Sequence, residues 1–140
     1  MAARYVVAPV AEIPPGGRKV VEAGAGRRIV VFNLEGEFFA LLDRCPHQGG
    51  RLSGGKLCGL VESDEPGVFH YDRKGEILRC PWHQWEFDIR TGKSRHDPNR
   101  TRTRAFPAHV ESGAALTQEG PYVLETFPVR VEEDYVVVEA

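Results

Sequence analysis

Four side chains of this chain are spaced for soft-metal chemistry. Arg44–Gly50 reads RCPHQGG and Arg79–Asp88 reads RCPWHQWEFD. The first stretch offers Cys45 and His47, the second Cys80 and His83, and 32 residues separate His47 from Cys80. Thiolates favour soft metals, and imidazole suits iron and zinc alike. Each Cys precedes a Pro, which fixes the local φ and removes an N–H. A Cys2His2 zinc finger pairs Cys with Cys at one end and His with His at the other. Here each loop supplies one Cys and one His. That division suits a two-iron cluster with unlike ends, in which two His replace two Cys on one iron. A small zinc-stabilised module is the alternative that the residue types leave open.

The neighbouring residues fit a cluster site. Gly49, Gly50, Gly54 and Gly55 would let backbone approach sulfur and donate N–H bonds to it. Trp82 and Trp85 would limit water there. The other candidates have plainer readings. Cys58, in GKLCGLV, reads as a small buried hydrophobe. His70 falls in a strand, and His96 and His109 on the surface of a long loop. Arg90, Arg95, Arg100, Arg102 and Arg104 read as a solvated loop, with a docking patch for an acidic partner as the sharper alternative. No aromatic interleaving among them supports nucleic-acid binding.

The elements that must position these residues are strands. Over 140 residues, 15 Gly and 10 Pro favour short strands and turns over long helices. Residues 1–140 read as a single domain, long enough to bury a core without disulfides. A net charge of −2 recruits neither nucleic acid nor acidic lipid. Three Cys are too few for a secreted disulfide scaffold. No leader or membrane span is evident, so a cytoplasmic setting is expected. RYVVAPV and RKVVEA read as strands, and RRIVVFNLEGEFFALLD as a hairpin turning at Glu35–Gly36. VFHYDRKGEILRC reads as a second hairpin, turning at Asp72–Gly75. YVLETFPVRVEEDYVVVEA reads as further strands, alternating at Val129 and Val131 and at Val136 and Val138, with a tight turn near Glu133–Asp134. Ser94–Pro121 reads as a long loop with one helical turn at Gly113–Thr117. The sum is an all-β sandwich or small barrel.

At its two Cys–His loops the chain resembles the Rieske [2Fe–2S] family. CPHQGGRLSGG matches the first ligand loop, CPWHQWEFDIRTG the second, and FPVRVEEDYVVVEA the closing hairpin. The resemblance implies an antiparallel β-sandwich of three small sheets with a cluster-binding subdomain, its loops at about 43–60 and 78–93. Residues 62–75 and 94–120 would be insertions. Cys45 and Cys80 would hold the inner iron of one [2Fe–2S] cluster, and His47 and His83 the outer. Gln84 departs from the Gly that commonly follows the second His. High-potential members carry an extra disulfide, whose positions here are Gly50 and Trp82, and hydroxyl donors, whose positions here are Trp85 and Phe87. A low-potential centre is therefore expected. The implied role is a ferredoxin passing one electron from a reductase to a terminal oxygenase, without catalytic activity alone, membrane or nucleic acid. The other role the family offers is a fixed small subunit of an NADH-dependent nitrite reductase.

Overall fold

The computed structural model describes residues 4–23, 26–45, 51–81, 85–95, 101–118, 123–124 and 133–140. These fall into two compact units. The first comprises residues 1–42 and 105–140, and the second residues 43–104.

The first unit is built on two four-stranded sheets. Strands β1 (Arg4–Pro9), β9 (Ala108–Ser112), β10 (Val123–Leu124) and β11 (Asp134–Glu139) form one, in the order β10-β1-β11-β9. Strands β2 (Arg18–Ala23), β3 (Arg27–Leu34), β4 (Glu37–Leu42) and β8 (Ala105–Phe106) form the other, in that order. Pairing is antiparallel except for a two-residue parallel match of β1 with β10, Tyr5 to Val123 and Val6 to Leu124.

The period of two decides what is buried. Val7, Ile29, Val31, Phe38, Val136 and Val138 join Tyr5, Ile13 and Phe106 in one core. The alternate residues of β1 and β11, Val6, Tyr135 and Val137, pack with Leu116 of helix α1 (Gly113–Gln118). Both faces of these two strands are thus covered, which is why they read as continuous apolar runs. The turn at Glu35–Gly36 is the expected one, with φ of 53° and 97°. Asn33 fixes it, accepting from Gly36 N–H at 2.7 Å and donating to the Ile13 carbonyl at 2.7 Å.

The second unit carries a three-stranded sheet, β5 (Lys56–Glu65), β6 (Val68–Arg79) and β7 (Glu86–Asp88). Here two expectations need correction. The hairpin turns at Pro66–Gly67, not at Asp72–Gly75, and β6 runs through the latter stretch. Leu60 pairs with Asp72 and Cys58 with Ile77, so residues 73–76 form a bulge with Gly75 at φ 80°. A turn-like composition is absorbed as a bulge because the flanking strands stay paired. Nor is Ser94–Pro121 a long loop. It holds a bridge of Lys93 to Arg102, β8, β9 and α1, which supplies the expected helical turn. Val129 and Val131 lie outside the described residues, and Glu133–Asp134 leads directly into β11. No helix among the described residues is long and apolar enough to cross a membrane.

Candidate metal centre

Cys45 follows β4, and Cys80 follows β6 directly. Both are buried, at 2% and 1% exposure. None of the three cysteines is in a disulfide. His47 and His83 lie outside the described residues, as do Gly49, Gly50, Trp82 and Gln84. The described residues accordingly contain no group of three or more potential ligands, and the Cys pair is the part of the expected set that can be placed.

The second loop is closed at its base. Arg79 and Glu86 are paired in register, and Cys80 N–H donates to the Trp85 carbonyl at 2.7 Å. Cys80 and Trp85 are therefore held together where the paired strands end. One row back from the Arg79–Glu86 pair, Leu78 and Phe87 are fully buried, in register with one another. Phe87 is a core residue, and Trp85 beside the loop is half-buried.

The first loop is held by Asp43, two residues before Cys45 and only 5% exposed. Its carboxylate accepts from the Ser53 N–H at 2.6 Å and the Ser53 hydroxyl at 2.7 Å. Thr103 donates its hydroxyl to the Arg44 carbonyl at 3.3 Å. Leu52–Gly54 form a 3₁₀ turn with Leu52 fully buried. Of the four glycines expected to approach sulfur, Gly54 and Gly55 are described, and both close this turn. Gly54 N–H donates to Arg51 and Gly55 N–H to Leu52, within the turn itself. Gly55 is required by close approach, since a Cβ there would collide with the Arg79 carbonyl and lie 3.0 Å from the Leu52 carbonyl and the Leu78 side chain.

Cys58 is half-buried in β5, not part of the core. Its thiol donates to Glu86 Oε2 at 3.4 Å. Burial, and then the Glu86 carboxylate, push the thiol up from its ordinary range, against the pull of Arg79 and Arg95. His109 is on β9, 3.1 Å from Glu111, not in a loop. His70 is on β6, and His96 lies outside the described residues.

Sequence reasoning missed Asp43 and Glu86. Asp43 left a signal: a carboxylate ending the apolar run FFALLD, directly before RCP, has to find donors when the strand is buried. Glu86 left none, because its partners come from β5, β6 and residue 95.

Two buried unbridged thiols, each opening a loop with a His in its sequence, fit a mixed Cys/His iron–sulfur centre. The Rieske [2Fe–2S] domain model matches residues 3–107. The chain belongs to that family. Its cofactor is one Rieske-type [2Fe–2S] cluster. It is 31% identical over 107 residues to the biphenyl dioxygenase ferredoxin subunit of Pseudomonas sp. (strain KKS102), covering 76% of this chain and 84% of that protein. It is 32% identical over 110 residues to the 3-phenylpropionate/cinnamic acid dioxygenase ferredoxin subunit of Escherichia coli (strain K12), covering 79% and 88%. Among solved structures, Sphingomonas yanoikuyae B1 ferredoxin matches with a TM-score of 0.56 at 25% identity, over 76% of this chain and 88% of that one. A chain from the complex of reduced oxygenase and oxidized ferredoxin in carbazole 1,9a-dioxygenase shares the fold, with a TM-score of 0.60 at 20% identity over 95% and 91%.

Proposed function

We propose that this chain is a Rieske-type ferredoxin that carries single electrons from a reductase to a terminal oxygenase and catalyses no reaction alone. The observation that carries this is the pair of buried thiols, Cys45 and Cys80, at the mouths of the two His-bearing loops. Cys45 and Cys80 would hold one iron, and His47 and His83 the other. When bound, the cluster supplies a one-electron couple.

The chain's own residues do the rest. Burial of both Cys keeps water from the sulfurs. The Asp43–Ser53 contacts and the Cys80–Trp85 bond fix the loop bases, so the ligands need little reorganisation when the charge changes. The terminal oxygenase as acceptor is supported by relatives that are dioxygenase ferredoxin subunits. They favour a mobile carrier over a fixed nitrite reductase subunit. Docking would be weak and small in area, as redox encounters are. Cysteines outside disulfides suit a reducing cytoplasm.

The test is an EPR spectrum of the anaerobically purified, dithionite-reduced protein. A rhombic signal with average g below that of all-Cys clusters is expected. A colourless sample containing zinc and giving no signal overturns the reading.

A further inference from the structure

The unit that bears the cysteines is positive although the chain is negative. Residues 43–104 hold twelve Lys and Arg against nine Asp and Glu, a net of +3. The remaining residues hold six against eleven, a net of −5.

The excess has a definite arrangement on the three-stranded sheet. Lys56 pairs with Arg79, and Arg79 with Glu86. Arg95 N–H donates to the Glu86 carbonyl at 2.9 Å, so Arg95 extends the same row. The row reads Lys56, Arg79, Glu86, Arg95, directly behind the second loop. Two cations share its one carboxylate, Arg79 at 3.3 Å and Arg95 at 3.7 Å. Two rows farther along, past Phe87 and Ser94, Lys93 and Arg102 face each other across a bridge. Like charges directly opposite destabilise a strand pair. Both are exposed, and neither pairs with a carboxylate among the described residues. The same holds for Lys56, and for Arg44 and Arg51, which flank the first loop. Those carboxylates of this unit whose side chains are described are engaged: Asp43 by Ser53, Glu76 by Arg90, Glu86 by two Arg, and Asp88 by the Arg90 N–H.

We infer that this unit docks through a basic rim, made by Arg44, Arg51, Lys56, Lys93, Arg95 and Arg102, onto an acidic patch of its electron-transfer partner. This rests on the carrier reading and names the partner chemistry of that site. Exposed cations, all but Arg95 without a carboxylate partner among the described residues, steer an acidic surface toward the loops that would hold the cluster, while the overall charge of −2 would steer it away.

Overall and local charge therefore predict opposite signs in one experiment. The dithionite-reduced, desalted protein is mixed in stopped flow with ferricyanide, which accepts one electron and becomes ferrocyanide, or with hexaamminecobalt(III), which accepts one electron as a cation. A basic rim makes the ferricyanide rate fall several-fold as ionic strength rises, through screening, and the hexaamminecobalt(III) rate rise. The Lys93→Glu/Arg102→Glu double variant should flatten both dependences. A ferricyanide rate that rises with salt overturns the rim. A second measurement needs no redox activity. At pH 7 and low salt the protein should be retained on immobilised poly-L-glutamate and the double variant should elute early. Passage of the parent protein straight through also overturns the rim. Retention without any EPR signal would sink the carrier reading alone.

Discussion

The Asp43 carboxylate grips Ser53 twice, by its N–H at 2.6 Å and its hydroxyl at 2.7 Å. This joins the two ends of the segment that contains Cys45 and His47. Asp43→Ala leaves the Ser53 N–H without that acceptor and should destabilise the protein by about 1–3 kcal/mol. Ser53→Ala keeps the N–H bond and should cost about 1 kcal/mol. Thermal melts rank the two, and iron content after gel filtration shows whether the first loop still holds the cluster. Equal iron in parent and Asp43→Ala would show that the clamp does not govern ligation.

Gly55→Ala forces a methyl against the Arg79 and Leu52 carbonyls, where backbone must move. Overpacking of this kind costs about 1–3 kcal/mol. The displaced Arg79 adjoins Cys80, so cluster loss on standing should accelerate along with the drop in melting temperature. Absorbance of the iron–sulfur chromophore over time reads this directly.

Cys58 should stay a thiol to higher pH than an ordinary cysteine. Its alkylation rate with iodoacetamide should keep climbing beyond pH ~8.5, the usual thiol value. Glu86→Gln removes a group that raises the thiol, so the plateau should move to lower pH. An unshifted profile would mean that Glu86 does not act on it. Mass spectrometry assigns the label, since Cys45 and Cys80 are buried.

Glu111 accepts from Arg4 and lies 3.1 Å from His109. Partial burial alone would raise its carboxyl, but the bonds to Arg4 and His109 outweigh this and lower it. A lowered folded-state value gives stability that is present above the ordinary carboxylate range and lost as pH falls through the folded value. Glu111→Gln should therefore lower the melting temperature near neutral pH, by an amount worth about 1 kcal/mol for a partly exposed pair. The gap should close in acid. A gap independent of pH would assign the loss to packing.

Phe87 is fully buried in register with Leu78 and carries no hydroxyl. With no hydrogen bond from that position to the reduced centre, the midpoint should lie in the lower part of the family's range of roughly −150 to +300 mV. A redox titration at pH 7 giving a value well above about +100 mV would contradict this.

The sequence made some of this visible and hid the rest for physical reasons. The Glu35–Gly36 turn was legible because a two-residue primed turn demands positive φ and its flanking strands are apolar. The Cys45 and Cys80 loops were legible because Cys–Pro is rare and local. The bulge at residues 73–76 was not, since Asp, Arg, Lys and Gly in a row look the same in a turn and in a strand that stays paired. Strands β8 and β9 were hidden in a polar stretch. Their partners β4 and β11 decide their pairing, and the burial of β9 does not alternate cleanly. Glu86 joins residues 28 and 7 positions away, a pattern no window along the chain contains.

The position of β11 between β1 and β9 sets an order in time during synthesis. Arg4 finds Glu139 as its partner, so the first sheet cannot be finished until residue 139 has left the ribosome. Residues 43–104 are contiguous and emerge earlier. A nascent chain can therefore present Cys45 and Cys80 to cluster delivery while the strand that seals the first unit is still being made.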